Sequence, residues 1–454
     1  MPKKLRKLFL FVLTVIFVVV GAYLFLTASG LVVNWKNWPH LSITKTGDIA
    51  LKFSPAEAQI KINQKPYHVN RGLFPGDILI SKLTPGDYQI EIVKEGYQSW
   101  QKTLKVKPAE VTSATHIRLF TSSPSWQSPL SEKIKDFWLT GEGLVYQTKK
   151  DELKFKQFYL KGNKVILSSS QSKLIITADT FDNYFLTNLE KPATAINFNE
   201  LFTSLREQLK SADSSLIKKT YFHPFSPTKI IIATTNAFYA LDVEKIKLEF
   251  LTRAAQFKTA SISSSELFFI NKKGDLNIFN LVLKTADIKA LHLQNISFLK
   301  IAPDGTEIGF LTSEGEFLIF NRLNNELKSL TKEIKDFYFS PEGKRVFLIS
   351  LNNKTFIFYL DNYETDNYKN SAGDILTIDF LQEQTFGQFN WLSDYPNNFL
   401  ILADNKLIVS ETDPRPPLNW QVLESGVKKY SFADGKIYLL KEEGKFLQGN
   451  EIFF

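Results

Sequence analysis

The sequence predicts a mainly β protein: an N-terminal transmembrane helix, a small β-sandwich, and then a β-propeller of seven or eight four-stranded blades. Three observations carry that reading. An uncharged apolar run opens the chain, short alternating runs separated by turn signals follow, and a strand–turn–strand pattern then recurs to the C-terminus. With 454 residues, 44% hydrophobic and 22% charged, there is material for two or three separately packed domains, and disorder as the main state is excluded.

Composition removes several chemistries. With no Cys and one Met, the chain holds no disulfide scaffold, thiolate metal site, cysteine nucleophile or iron–sulfur cluster. The formal charge of +8 is half supplied by Lys3, Lys4, Arg6 and Lys7, so the remainder is close to balanced. Eight basic residues are Arg and the rest Lys, which is poorly suited to bidentate phosphate or base recognition. A nucleic-acid partner is not expected.

Residues 1–7 form a basic tail, and Leu8 to Leu26 is a run of nineteen residues without a charge. At ~1.5 Å per residue this spans roughly 28 Å, the hydrocarbon thickness of a bilayer. The preceding cations place the N-terminus in the cytoplasm and the bulk of the chain outside, in a single-pass cell-membrane protein. Thr27-Ala28-Ser29-Gly30 offers a cleavable signal peptide as the alternative. An anchor is preferred because the run exceeds the ~7–15 apolar residues of a cleavable signal. In the linker 27–46, Trp35 and Trp38 read either as headgroup-level anchors or as packing on the first folded domain.

Residues 47–120 change to a period of two: Ile60 and Ile62, then Tyr88, Ile90 and Ile92, then Leu104 and Val106, then Ile117 and Leu119. Such alternation marks half-buried strands. In Leu83-Thr84-Pro85-Gly86-Asp87-Tyr88 the proline fixes φ at the first corner of a turn and the glycine accepts positive φ at the second. Strands and turns at this density make a small β-sandwich. Gly47-Asp48-Ile49, Ser54-Pro55-Ala56-Glu57-Ala58-Gln59-Ile60, the Leu83–Tyr88 turn and Glu95-Gly96-Tyr97 with Trp100 resemble the PEGA domain. The segment departs from the family at Glu57, where the family has Gly, and between Lys65 and Ile80, where it is longer and less regular. The resemblance implies a non-catalytic binding or spacing module beside a membrane helix.

From 125 to 454 eight segments share an aromatic-rich strand, a turn and an apolar strand, starting near Ile134, Val165, Ile217, Phe257, Ile296, Ile334, Phe389 and Val427. Most starts are 38 to 40 residues apart, close to the ~40–45 of a propeller blade. One interval of 31 is short for a blade, which leaves the count at seven or eight, with the two chain ends completing one blade together. Two intervals, of 52 and 55, hold insertions. In the first, Leu201, Leu205 and Leu209 mark an amphipathic helix; in the second, Tyr363 to Gln388 is polar and then strand-like. The turns Ser340-Pro341-Glu342-Gly343-Lys344 and Ala302-Pro303-Asp304-Gly305 resemble those of WD-repeat-like propellers of the Tol-system periplasmic type, although no Trp-Asp or Gly-His dipeptide occurs. Such turns specify a fold rather than a function.

No metal-ligand spacing joins His40, His68, His116, His223 and His292, and no serine-hydrolase elbow, phosphate loop or dinucleotide fingerprint is present. No cofactor is expected. Asp304, Glu342, Asp434 and Asp275 each lie near a turn glycine, where an acidic side chain commonly serves its own backbone. The aromatic excess reads mainly as core, with Trp391 and Tyr395 in Asn390-Trp391-Leu392-Ser393-Asp394-Tyr395 as candidate ligand contacts. The function expected is a non-enzymatic binding or scaffold module of the cell envelope, anchored in the membrane and engaging an envelope protein or a surface glycan. The alternative is an exported propeller hydrolase acting on glycans or peptides, its carboxylates drawn from different blades.

Overall fold

A computed structural model describes residues 3–28, 30–34, 42–68, 77–169, 172–179, 183–211 and 213–449. Trp35 and Trp38 lie outside them. Helix α1 runs Lys3–Ala28. Its described side chains, residues 9–25, are all exposed, among them Phe17 and Phe25 at 76% and 71%. Among the described residues no helix is long and apolar enough to cross a membrane. A hairpin of Leu31–Asn34 and Ser42–Lys45 leads from α1 into the first domain, where the Thr46 amide donates to Gly30 O at 2.7 Å.

The first domain is a two-sheet sandwich. One sheet places Gly47–Ser54 between Asp77–Leu83 and Val111–Arg118; the other orders Lys65–Tyr67, Gln59–Ile62, Gly86–Val93 and Trp100–Val106. Alternation does the sorting, since Ile49, Leu51, Ile60, Ile90, Ile92, Leu104 and Val106 all turn inward to one core. Gly47–Ser54 and Val111–Arg118 run parallel, with Asp48 opposite Val111 and Ser54 opposite Arg118. A register shift against Leu51 and Phe53 marks a bulge at Thr115-His116, and His116 adopts φ +60°.

Eight four-stranded antiparallel sheets follow, at 134–160, 164–197, 217–253, 260–289, 296–331, 334–377, 386–425 and 427–449, the last completed by Trp126–Gln127. Among the described residues the propeller therefore has eight blades. The 31-residue interval holds a whole blade because its third and fourth strands, Leu153–Phe155 and Phe158–Leu160, are three residues each. The two ends of the propeller segment build the eighth blade together, with Trp126 paired to Gly449. Central strands such as Arg345–Ser350 are buried at every position, because neighbouring blades cover both faces.

Lysines on innermost strands strap adjacent blades together. Lys300 Nζ reaches Asp336 Oδ1 of the next blade at 2.7 Å, and Lys429 of the eighth blade reaches Asp136 of the first at 2.6 Å, across the ring closure. The repeat turns also interlock. Gly343 has φ +75°, and a Cβ there would meet the Asp304 carboxylate of the preceding blade at 2.7 Å. The first insertion is helix α2, Phe198–Gln208, capped by the Asn197 side chain, which accepts from the Glu200 amide. The second forms a small hairpin, Tyr363–Glu364 with Lys369–Asn370, before the fourth strand of blade six.

Candidate functional site at the domain junction

In an antiparallel blade the turn after the first strand and the turn after the third emerge on the same face. The sandwich sits on that face over blades six and seven. Its main grip is Lys102, whose side chain is fully buried. Lys102 Nζ lies 2.6 Å from Glu411 Oε1 and donates to the carbonyls of Asp413, Arg415 and Pro417 in the third-to-fourth-strand turn of blade seven. Glu411 also accepts from Trp100 Nε1 at 3.1 Å and from Asn419 Nδ2 at 2.6 Å. Burial pushes the Glu411 carboxyl up, against the pull of the Lys102 ammonium and the Asn419 amide. Asn419 exchanges two hydrogen bonds with the backbone of Gln101, Arg415 Nη1 donates to Ser113 O at 2.7 Å, and Gln421 Nε2 donates to Thr121 O at 2.8 Å.

The inserted hairpin of blade six closes the junction from the other side. Asn367 Oδ1 accepts from the Thr115 amide at 2.6 Å, and its Nδ2 donates to Thr115 O at 2.8 Å. The bulge in the sandwich strand makes this pairing possible, because it turns the Thr115 backbone outward while aiming His116 and Arg118 along the same edge.

Between these contacts lies a cleft of about 360 Å³, lined by His116 and Arg118 of the sandwich, Tyr363 and Thr365 to Asn367 of the hairpin, and Asp394 to Asn398 of the first turn in blade seven. A much smaller cavity of about 30 Å³ beside it is lined in part by Trp100, Glu411 and Asp413. The Arg118 guanidinium sits 4.6 Å from the centre of the Tyr395 ring. Tyr363 OH donates to Asn397 Oδ1 at 2.9 Å, tying two walls together.

Arg345, fully buried, supports the floor. Its Nε donates to Glu342 Oε1 at 2.6 Å, its Nη1 to Thr412 Oγ1 at 2.9 Å and its Nη2 to Pro396 O at 2.8 Å, while the rings of Tyr363 and Trp391 stand 4.1 and 5.0 Å from the guanidinium. Burial raises Tyr363 and Tyr368 above the ordinary tyrosine range and pushes Tyr359 up to about 12, each opposed by the Arg345 charge. These phenols stay protonated; Tyr363 bonds Asn397 and Tyr368 OH lies 3.4 Å from Thr412 Oγ1, whereas the buried Tyr359 OH has no partner among the described residues.

Of the two sequence candidates, Tyr395 lines the cleft and Trp391 does not. Trp391 packs between Phe389 and Phe399, and its Nε1 donates to Tyr338 O at 3.0 Å, so it belongs to the wall between blades six and seven. Glu342 is the partner of Arg345 as well as a turn residue, whereas Asp304 accepts from its own turn, at Thr306 N and Oγ1. Sequence reasoning missed Lys102, Glu411, Arg345 and Asn367. The scarcity of Arg in a Lys-rich chain was the one available signal for Arg345. Among the described residues no group of three His, Asp or Glu side chains is placed to hold a metal ion.

Residues 46–118 match the PEGA domain. The chain thus joins a PEGA domain to a β-propeller. Similar solved structures include Kluyveromyces lactis Hsv2, at 13% identity and TM-score 0.43 over 71% of this chain and 98% of that one. BamB from Moraxella catarrhalis aligns at 9% identity and TM-score 0.43 over 72% and 98%. PorZ, a bacterial surface component of the type-IX secretion system of Porphyromonas gingivalis, aligns at 13% and 0.36 over 70% and 42%. No curated protein matches the chain.

Proposed function

We propose that this protein is a non-enzymatic binding module of the cell envelope, tethered by α1 with its two domains outside the cell, and that its junctional cleft takes a surface glycan. The observation that carries the reading is the cleft itself, which neither domain forms alone. Its volume falls in the range of small-ligand sites, ~300–1,000 Å³. Asn367, Asn397 and Asn398 provide amides, Asp366 and Asp394 carboxylates, and Tyr363 and Tyr395 aromatic walls. That mixture suits the hydroxyl-rich, partly apolar surface of a sugar, and the 360 Å³ suit one or two sugar units. The tether is supported by the apolar side chains exposed all round α1 between residues 9 and 25.

A glycan array probed with the full chain tests the proposal. Binding of a defined glycan, weakened about tenfold by Asn398→Ala, a loss near 1.4 kcal/mol, supports it. Binding that ignores this substitution, or release of a hydrolysed product, contradicts it; the latter outcome establishes the hydrolase reading instead.

A further inference from the structure

Three successive blades present apolar side chains at the tips of their third-to-fourth-strand turns. Blade three has Lys245-Ile246-Lys247, with Ile246 56% exposed; blade four has Val282-Leu283-Lys284, with Leu283 71% exposed; blade five has Arg322-Leu323, with Leu323 79% exposed. The equivalent turns of blades one and two carry Lys156-Gln157 and Glu190-Lys191. Phe225, in the first turn of blade three, is exposed on the same face.

Ile246 is also strained. It adopts φ +50°, a left-handed conformation that a β-branched residue rarely takes. A side chain that is both apolar in water and costly in backbone conformation is maintained against stability, which points to a role in contact with something else.

The sandwich identifies what lies opposite this face. Of its parallel strands Gly47–Ser54 and Val111–Arg118, the Arg118 end lies against Tyr395 while blade seven's turn climbs as far as Ser113, and the chain arriving from α1 enters at the other end, by Gly47 and Asp48. Eight strand residues at ~3.3 Å each make these strands roughly 26 Å long. The face bearing the apolar tips is therefore the one turned toward α1.

We infer that the rim formed by blades three, four and five is a membrane-contacting surface, which rests on an anionic bilayer when the disc leans to that side. The inference relies on the proposed tether. The chemistry fits an interface. Apolar tips enter the boundary between headgroups and acyl chains, while Lys245, Lys247 and Lys284 beside them meet lipid phosphates. Lys284 also pairs with Glu249 at 2.9 Å, which keeps it at the edge of the patch.

The natural absence of Cys permits single labels in the full chain. Leu283→Cys, Leu323→Cys, Phe17→Cys and Leu351→Cys, each carrying an environment-sensitive fluorophore, are placed in nanodiscs of phosphatidylcholine with phosphatidylglycerol and a headgroup-nitroxide lipid. Leu351 is 55% exposed in a second-to-third-strand turn, on the opposite face. Labels at 283 and 323 should blue-shift and lose several-fold more fluorescence than the label at 351, and less in discs of phosphatidylcholine alone. Quenching at 283 and 323 no greater than at 351, or a blue shift that persists without lipid through contact with another protein, overturns the inference. Phe17 reads the tether separately, so quenching at 17 with none at 283 and 323 sinks the rim contact and leaves the anchor standing.

Discussion

Lys102 shows how one residue joins two domains. Its four acceptors all come from residues 411–417 of the propeller, more than three hundred positions away in sequence. A buried ion pair of this kind need not stabilise relative to an apolar replacement of both members, but removing one member leaves a charge without its partner. Lys102→Met is expected to cost about 3–5 kcal/mol, seen as a lowered urea midpoint and as new proteolytic cleavage between the domains. Unchanged cleavage would mean that Lys102 does not hold the junction. Arg345 plays a comparable part within the propeller, satisfying Glu342, Thr412 and the Pro396 carbonyl at once. In the sequence Lys102 interrupts the apolar face of its strand, between Trp100 and Leu104, but nothing local says what pairs with it. Alternation puts Lys102 on the same buried face as Trp100, Leu104 and Val106, and only the docked propeller supplies the acceptors a lysine needs there. Tyr395 falls in a turn and lines the cleft, whereas Trp391, four residues earlier, is still within a strand.

At the scale of elements, the helical insertion was read well because its signals are local, whereas the expected turn corner Gly86, at φ +156°, opens a strand that crosses to the other sheet. Helix α2 begins where Asn197 can cap it and buries Phe198, Phe202 and Leu205. The bulge at Thr115-His116 was not legible, since it is defined by register against Gly47–Ser54. The loop after α2 carries an acid-sensitive tie. Burial pushes the Asp213 carboxyl up, but hydrogen bonds from Ser215, Thr234 and Tyr239 outweigh it and hold it below its ordinary value. The folded value is thus lower than the unfolded ~3.9, so the tie contributes fully above that pH and fades as pH falls through the folded value. Asp213→Asn should lower stability by a constant amount near neutrality, and the gap from the parent should close on acidification. Chemical denaturation at a series of pH values measures this; a gap that widens toward acid contradicts the assignment.

For the whole molecule, the repeat gave the architecture, and the intervals alone left seven or eight blades open. Eight is reached because short strands fit a blade into 31 residues and because the two ends of the propeller segment share the last sheet. Lys429, bridging the eighth blade to Asp136 of the first, should matter to closure. Lys429→Met is expected to raise hydrogen exchange in Trp126–Gln127 and Phe446–Gly449 ahead of the other blades; uniform exchange across the ring would show that the strap is dispensable. What no local pattern conveyed is the docking of one domain on the other, and with it the cleft, because it arises from residues far apart in the chain.

Docking is the point on which the glycan site and the orientation of the rim both depend, and a distance across it tests it most directly. Spin labels at Val111→Cys, on the remote end of the sandwich, and at Leu323→Cys, on blade five, are both exposed, at 57% and 79% in the parent residues. Pulsed electron–electron resonance on the full chain should give one narrow distance distribution that broadens when Lys102→Met is added. A broad distribution in the parent protein would show two independently moving domains and no preformed cleft.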